Sequence, residues 1–263
     1  MCLIAIAIKR HPDFPLIIAA NRDEFYDRPT APLGLWEDNS NILAGRDLKE
    51  GGTWLGATRI GRIAAVTNFR DFSHVMKSSL SRGELVSKFL DGIDELGTFL
   101  NKLRKGRDRY NGFNLLFGDM NRLFWYSNVA DRHEILKPGI HIVSNHLLNT
   151  PWPKTEKIRK KMDGLLENRD KIEPEEILAM LLDRRRPGDE LLPDTGVSLE
   201  WERILSPVFV TSEIYGTRSS SVIMVHKNGT LTFIERNYPV PENGPEKPEK
   251  YHTRKFEMHI SKE

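Results

Sequence analysis

Residues 2–24 read CLIAIAIKRHPDFPLIIAANRDE, and this stretch decides the fold. Cys2–Ile8 is a continuous apolar run, residues 14–20 form another, and a turn containing His11, Pro12 and Asp13 separates them. Short apolar runs bounded by turn residues read as strands, and runs without polar alternation read as strands buried on both faces. The pair therefore predicts a hairpin at the heart of a layered structure. The second run ends in Asn21-Arg22-Asp23-Glu24. Equal offsets on either side of the turn place Cys2 beside residues 21–23.

Further strands are expected at residues 42–45, 53–57 and 62–67. The period then changes. Ser81-Arg82-Gly83-Glu84 has the form of a capping box, and Leu85, Val86, Phe89 and Leu90 recur at helical spacing. A second helix is expected over 94–104, strands over 113–117, 123–126 and 140–143, and helices over 154–166 and 174–183. Strands at 220–225 and 230–234 follow, with Asn228-Gly229 suited to a type I′ bend between them. Runs of strands alternating with runs of helices predict an α+β fold of packed antiparallel sheet and helix. The 263 residues fit one domain, with a surface excursion at 184–201 and a C-terminal extension over about 237–263. Loops 71–79 and 184–201 are expected to shape any pocket.

Composition narrows the function classes. Lys and Arg number 39 against 37 Asp and Glu, a net charge of +2, so no global field attracts nucleic acid or an anionic membrane. Arg184-Arg185-Arg186 is short and reads as a solvated loop. No apolar run approaches the ~18 residues of a membrane span, and no basic region precedes the first strand as in a signal peptide. The one cysteine forms no intramolecular disulfide and belongs to no zinc-spaced cluster. A complete cytoplasmic protein acting on a small molecule, without integral membrane association or nucleic acid, is the expectation; oligomeric state is open.

That one cysteine is Cys2, directly behind Met1. Removal of Met1 would free an α-amine with a pKa of ~7.7–8.0, a general base at neutral pH. One residue would then supply both nucleophile and base, as N-terminal threonine nucleophiles do. The alternative is a small apolar residue opening a buried strand. A carboxylate at residues 21–23 would hold the amine, and an arginine there would favour the thiolate. Asn68 and Asn145 each close an apolar strand. A neutral amide there donates to a developing oxyanion, although Asn is equally a turn or cap residue. Arg218 precedes a late strand, where an arginine is ordinarily a surface ion pair.

Together, Cys2 at the head of a first strand, Asn-Arg-Asp-Glu after the second, Asn68-Phe69, Val143-Ser144-Asn145-His146, Gly216-Thr217-Arg218-Ser219 and Gly51-Gly52-Thr53-Trp54-Leu55-Gly56 resemble the NRDE family, the transport and Golgi organisation 2 group. The likeness runs from Met1 to about Arg236. More distantly the layout is similar to the choloylglycine hydrolase branch of N-terminal nucleophile hydrolases. That resemblance implies a four-layer αββα sandwich of two stacked, mainly antiparallel sheets. It implies Cys2 as nucleophile and amine base, Asp23 orienting the amine, Asn68 in the oxyanion hole, Asn145 steadying the nucleophile or intermediate, and Arg218 supporting the pocket's electrostatics. Asn21, Arg22, Phe69 and His146 are the neighbours expected to touch substrate. One departure stands out: the choloylglycine pattern places an arginine three residues before the aspartate, where this chain has Ala20.

Two functions follow. One is hydrolysis of a linear, non-peptide amide through Cys2, without metal or cofactor. The other, implied by family links to haem handling and lipid metabolism, is a non-catalytic haem- or lipid-related binding protein on the same fold. There His146 would be an axial ligand, with Trp36, Trp54, Trp125 and Trp152 as apolar lining.

Overall fold

The computed structural model describes residues 2–70, 76, 79–167, 171–239 and 251–260. At its head, β1 (Cys2–Ile8) and β2 (Leu16–Phe25) pair antiparallel, with Cys2 opposite Arg22 and Ile8 opposite Leu16. The expected hairpin is present and in the expected register. The chain then leaves for a second sheet through β3 (Thr30–Leu35), β4 (Ile42–Asp47), β5 (Leu55–Thr58) and β6 (Ile63–Asn68). Helices α1 (Gly83–Asp91) and α2 (Leu96–Lys105) follow, and β7 (Phe113–Gly118), β8 (Leu123–Ser127) and β9 (Arg132–Ile135) complete that sheet. β10 (Gly139–Val143) returns to the first sheet beside β1. Helices α3 (Pro153–Leu166), α4 (Pro174–Met180) and α5 (Leu199–Leu205) come next. Last are β11 (Tyr215–Val225), β12 (Thr230–Asn237) and β13 (His252–His259). Strand order is β10-β1-β2-β11-β12-β13 in the first sheet and β3 to β9 in sequence in the second, every pair antiparallel.

Period-two alternation splits each strand between two apolar layers. Ile4, Ile6, Ile8 and Ile18 face inward and meet Leu43, Leu55, Ala57, Leu116 and Trp125 of the second sheet. Leu3, Ala5, Ala7 and Ile17 face outward beneath Ile158 and Met162 of α3 and Ile177 and Leu178 of α4. On the far side, Leu85, Val86 and Phe89 of α1 and Phe99 and Leu103 of α2 cover Ala64, Leu115 and Phe117. The layers therefore run helix, sheet, sheet, helix: the αββα sandwich. Burial on both faces explains why β1 and β2 lack polar alternation.

Several local expectations are corrected. The Ser81-Glu84 capping box does not form: α1 starts after Arg82 with no side-chain cap, and Glu84 instead pairs with Lys88. The β11–β12 turn is not type I′, which needs positive φ at both central residues. Only Gly229 (φ 90°) is left-handed, and its N–H closes the turn on the His226 carbonyl at 2.9 Å. α4 ends at Met180, short of 183, because Leu181 already caps it. Segment 184–201 is not among these corrections: none of its residues is buried, its end enters α5, and the Thr195 N–H donates to the buried Glu202. Of loop 71–79, only Met76 and Ser79 lie among the described residues.

Candidate active site

Cys2 opens β1 on the inward face, in line with Ile4, Ile6 and Ile8. There the sandwich interior meets solvent in a cleft of roughly 250 Å³ whose walls include Cys2, Arg22, Asp23, Asn68, Trp54 and Arg82. Register puts Arg22 directly across from Cys2, so both side chains take the same face. The Arg22 guanidinium is 5% exposed, lies 4.3 Å over the Trp54 ring and sits 3.9 Å from a Glu24 carboxylate oxygen. Ala20, where the choloylglycine pattern has its arginine, is an apolar member of the inter-sheet core. Burial pushes the Cys2 thiol above its ordinary pKa; Arg22 and a hydrogen bond from the Asp23 backbone pull the other way.

Asp23 lies on the opposite face of β2, paired with Thr217. Its carboxylate accepts from the Thr217 hydroxyl at 2.7 Å, and its carbonyl accepts from the Tyr215 hydroxyl at 2.8 Å. Burial raises the Asp23 pKa, opposed by Lys154, the Thr217 hydrogen bond and Arg70. Lys154 is itself buried, donates to the Leu205 carbonyl at 3.1 Å, and is lowered to about 8 by burial and by Arg70.

Asn68 ends β6, facing Cys2 across the cleft from the second sheet. Asn145 follows β10 and braces this junction without lining the cleft. Its amide donates to the Asn68 carbonyl at 3.1 Å, and its carbonyl accepts from the Arg70 N–H at 2.7 Å. The Ser144 hydroxyl lies 3.2 Å from both the Cys2 carbonyl and the Asn145 side-chain oxygen. Behind them, Arg70 pairs with Glu202 at 2.8 Å, both almost wholly buried. A further constraint comes from glycine. A Cβ on Gly52 would come within 2.6–2.9 Å of the Gly83 backbone and the Glu84 nitrogen, so only glycine lets the β4–β5 turn meet the start of α1 at the cleft wall.

Four expected residues lie elsewhere. Asn21 alternates onto the helix-facing side, where its amide donates to the Leu181 and Val208 carbonyls and its oxygen accepts from Ser220; it braces the outer layer and does not line the cleft. Phe69 and His146 pack against each other at 5.0 Å, His146 also meets Trp152 at 5.7 Å, and its Nδ1 lies 2.8 Å from the Thr150 hydroxyl. Neither lines the cleft. Arg218 occupies a β-bulge between Thr217 and Ser219 and donates to the carbonyls of Phe25, Tyr26 and Arg28. It fronts a different cavity, behind Arg22. Of the four tryptophans expected as one lining, Trp125 belongs to the inter-sheet core and Trp36 to the helical layer on the second sheet.

Sequence reasoning missed Arg82, Arg70, Glu202, Lys154, Tyr215 and Thr217. The first was taken up in a helix-start motif, Thr217 was noted only as part of Gly216-Thr217-Arg218-Ser219, and Arg70 directly follows Asn68-Phe69. Glu202, Lys154 and Tyr215 come from segments that only the tertiary fold brings together.

The chain matches the model of the family described as Transport and Golgi organisation 2 over residues 1–239. It is 34% identical over 257 residues to the Transport and Golgi organization protein 2 homolog of Bos taurus, covering 90% of this chain and 93% of the relative. The Drosophila melanogaster Transport and Golgi organization protein 2 is 26% identical over 262 residues, with 89% and 91% covered. A solved mutant of the conjugated bile acid hydrolase of Clostridium perfringens aligns with a TM-score of 0.49 at 8% identity, over 97% of this chain and 92% of that one. The chain belongs to the Transport and Golgi organisation 2 family. Among the described residues no helix is long and apolar enough to cross a membrane.

Proposed function

We propose that this chain is an N-terminal cysteine hydrolase of linear, non-peptide amides, active after removal of Met1. The observation that carries the reading is the placement of Cys2. It heads the first strand, faces Arg22 in register, and shares one cleft with Asp23 and Asn68. With Met1 in place the thiol is held above its ordinary pKa by burial, so it is a poor nucleophile. The freed amine changes that.

In the proposed reaction the Cys2 amine takes the thiol proton and Sγ attacks the amide carbonyl carbon. The negative charge moves to the carbonyl oxygen, where the Asn68 side chain donates to it. Collapse breaks the C–N bond, and the amine's proton leaves with the product amine. Water, deprotonated by the same amine, then cleaves the thioester and releases the carboxylic acid and the thiol. Asp23 holds the ammonium form, Arg22 favours the thiolate, and Asn145 fixes the Asn68 backbone. Apart from that water, these steps use groups of the chain itself. A single free cysteine suits a reducing compartment, and we place the reaction in the cytoplasm.

The haem- or lipid-binding alternative has less support, because His146 is packed between Phe69 and Trp152 and the tryptophans do not converge. The test is a screen of acyl amides with the processed protein and with Cys2→Ala. Turnover lost in Cys2→Ala at an unchanged melting temperature supports the reading. Turnover that survives the substitution overturns it.

A further inference from the structure

A second cavity, of roughly 450 Å³, lies on the other side of the Arg22–Trp54 stack from Cys2; those two residues line both spaces. Its walls carry Arg22, Arg218, Arg254 and His252, together with Ser219 and Tyr238. Among the described residues no aspartate or glutamate lines it. Three guanidinium groups from separate strands converge on this space; the neighbouring carboxylates, Glu24 3.9 Å from Arg22 and the buried Glu235 near Arg22 and Arg254, stand outside its lining.

The donors are also underused. Arg254 donates through Nη1 to the Leu33 carbonyl, and Arg218 through Nη1 to three carbonyls of the β2–β3 turn. Arg218 Nε and Ser219 Oγ are buried with no hydrogen-bond partner among the described residues, and Ser219 is 2% exposed. Buried donors left unpaired cost free energy, and a ligand that accepts from them recovers it. Guanidinium groups match the planar or tetrahedral oxygens of carboxylate and phosphate. The bulge at Arg218 turns that side chain out of the regular alternation and lets it front this space beside Ser219.

We propose that this cavity is an oxyanion-binding subsite, holding the carboxylate or phosphate of a small organic molecule between Arg218, Arg254 and Ser219. The site stands on its own donors. Its link to catalysis rests on the hydrolase reading: Arg22 would then be shared between the anionic end of the substrate and the thiolate, and the substrates would be acyl amides with an anionic group.

The test is calorimetric titration of the full chain with inorganic phosphate, with hexanoate, and with neutral hexanamide as control. Arg254→Gln is the main variant, because Arg254 lies exposed on the edge strand β13; Ser219→Ala is the second. One or both anions should bind while hexanamide does not, and Arg254→Gln should weaken anion binding roughly tenfold or more. Whichever anion binds more tightly identifies the ligand's charged group. Cys2 alkylation should proceed at the wild-type rate in Arg254→Gln, which separates failure of the subsite from failure of the nucleophile. Absence of anion binding, equal binding of hexanamide, or wild-type affinity in both variants would overturn the proposal.

Discussion

Arg70→Met examines the polar brace behind the cleft. Arg70 and Glu202 pair at 2.8 Å with side chains 1% and 4% exposed. The other Glu202 oxygen accepts from the Thr195 backbone N–H at 3.0 Å and from its hydroxyl. Replacing Arg70 leaves a buried carboxylate without its counter-charge, a change that costs about 3–5 kcal/mol. In a chain of this size that is a fall in Tm of roughly 5–10 °C. Adding Glu202→Gln removes the orphaned charge and keeps an acceptor for Thr195. The double variant should therefore recover to within about 2 kcal/mol of wild type. Urea denaturation of the four proteins of this cycle gives the coupling. A cost below about 1 kcal/mol for Arg70→Met, or a double variant no more stable than the single, would refute the reasoning. Such a result would mean that solvent reaches the pair and that the Asn145–Asn68 hydrogen bond does not depend on it.

Asn68→Ala should lower kcat by about 10²–10³ with little change in KM, as loss of one oxyanion donor does, and an unchanged kcat would remove Asn68 from that role. Gly52→Ala should destabilise the fold by more than about 2 kcal/mol, because its Cβ meets the Gly83 backbone at 2.6 Å; a thermal melt within 1 °C of wild type, on the order of a neutral surface change, would contradict that close approach. Lys154 has a folded pKa of about 8 against an ordinary 10.5, so between these values the unfolded chain holds more of its protons and stability rises with pH. Relative to Lys154→Met, the wild type should gain up to ~1.4 kcal/mol per pH unit across that window. A stability difference that stays flat from pH 8 to 10.5 would show that Lys154 is not desolvated.

The parts of the fold that sequence revealed are its central strands. β1 and β2 are buried on both faces, so their apolar runs are unbroken and their hairpin register can be counted from the turn. That count also placed Cys2 beside Arg22 and Asp23. β3, β9 and β13 escaped notice, and all three are edge strands. β3 carries Pro32 and an irregular register between Ala31 and Gly34, β9 reads Arg-His-Glu-Ile, and β13 has six exposed positions. Edges resist unwanted pairing with prolines, charges and bulges, which erases the apolar signal that marks a strand. The site was legible to the same extent. Asp23, within the final stretch of β2, and Asn68, at the end of β6, are near Cys2 in the hairpin and sandwich, whereas the support from Tyr215, Thr217, Lys154 and Glu202 depends on contacts spanning most of the chain. Arg218 came from the family pattern alone, and its position in a β-bulge facing a different cavity is visible only in the fold.

The account turns on the chemical state of Cys2. Intact mass of the untagged protein, taken before and after brief treatment with a thiol-alkylating reagent at neutral pH, reads that state directly. The account predicts a mass lacking Met1, with one rapid alkylation that disappears in Cys2→Ala and slows in Arg22→Ala. A mass retaining Met1, or a Cys2 inert to the reagent, would contradict it.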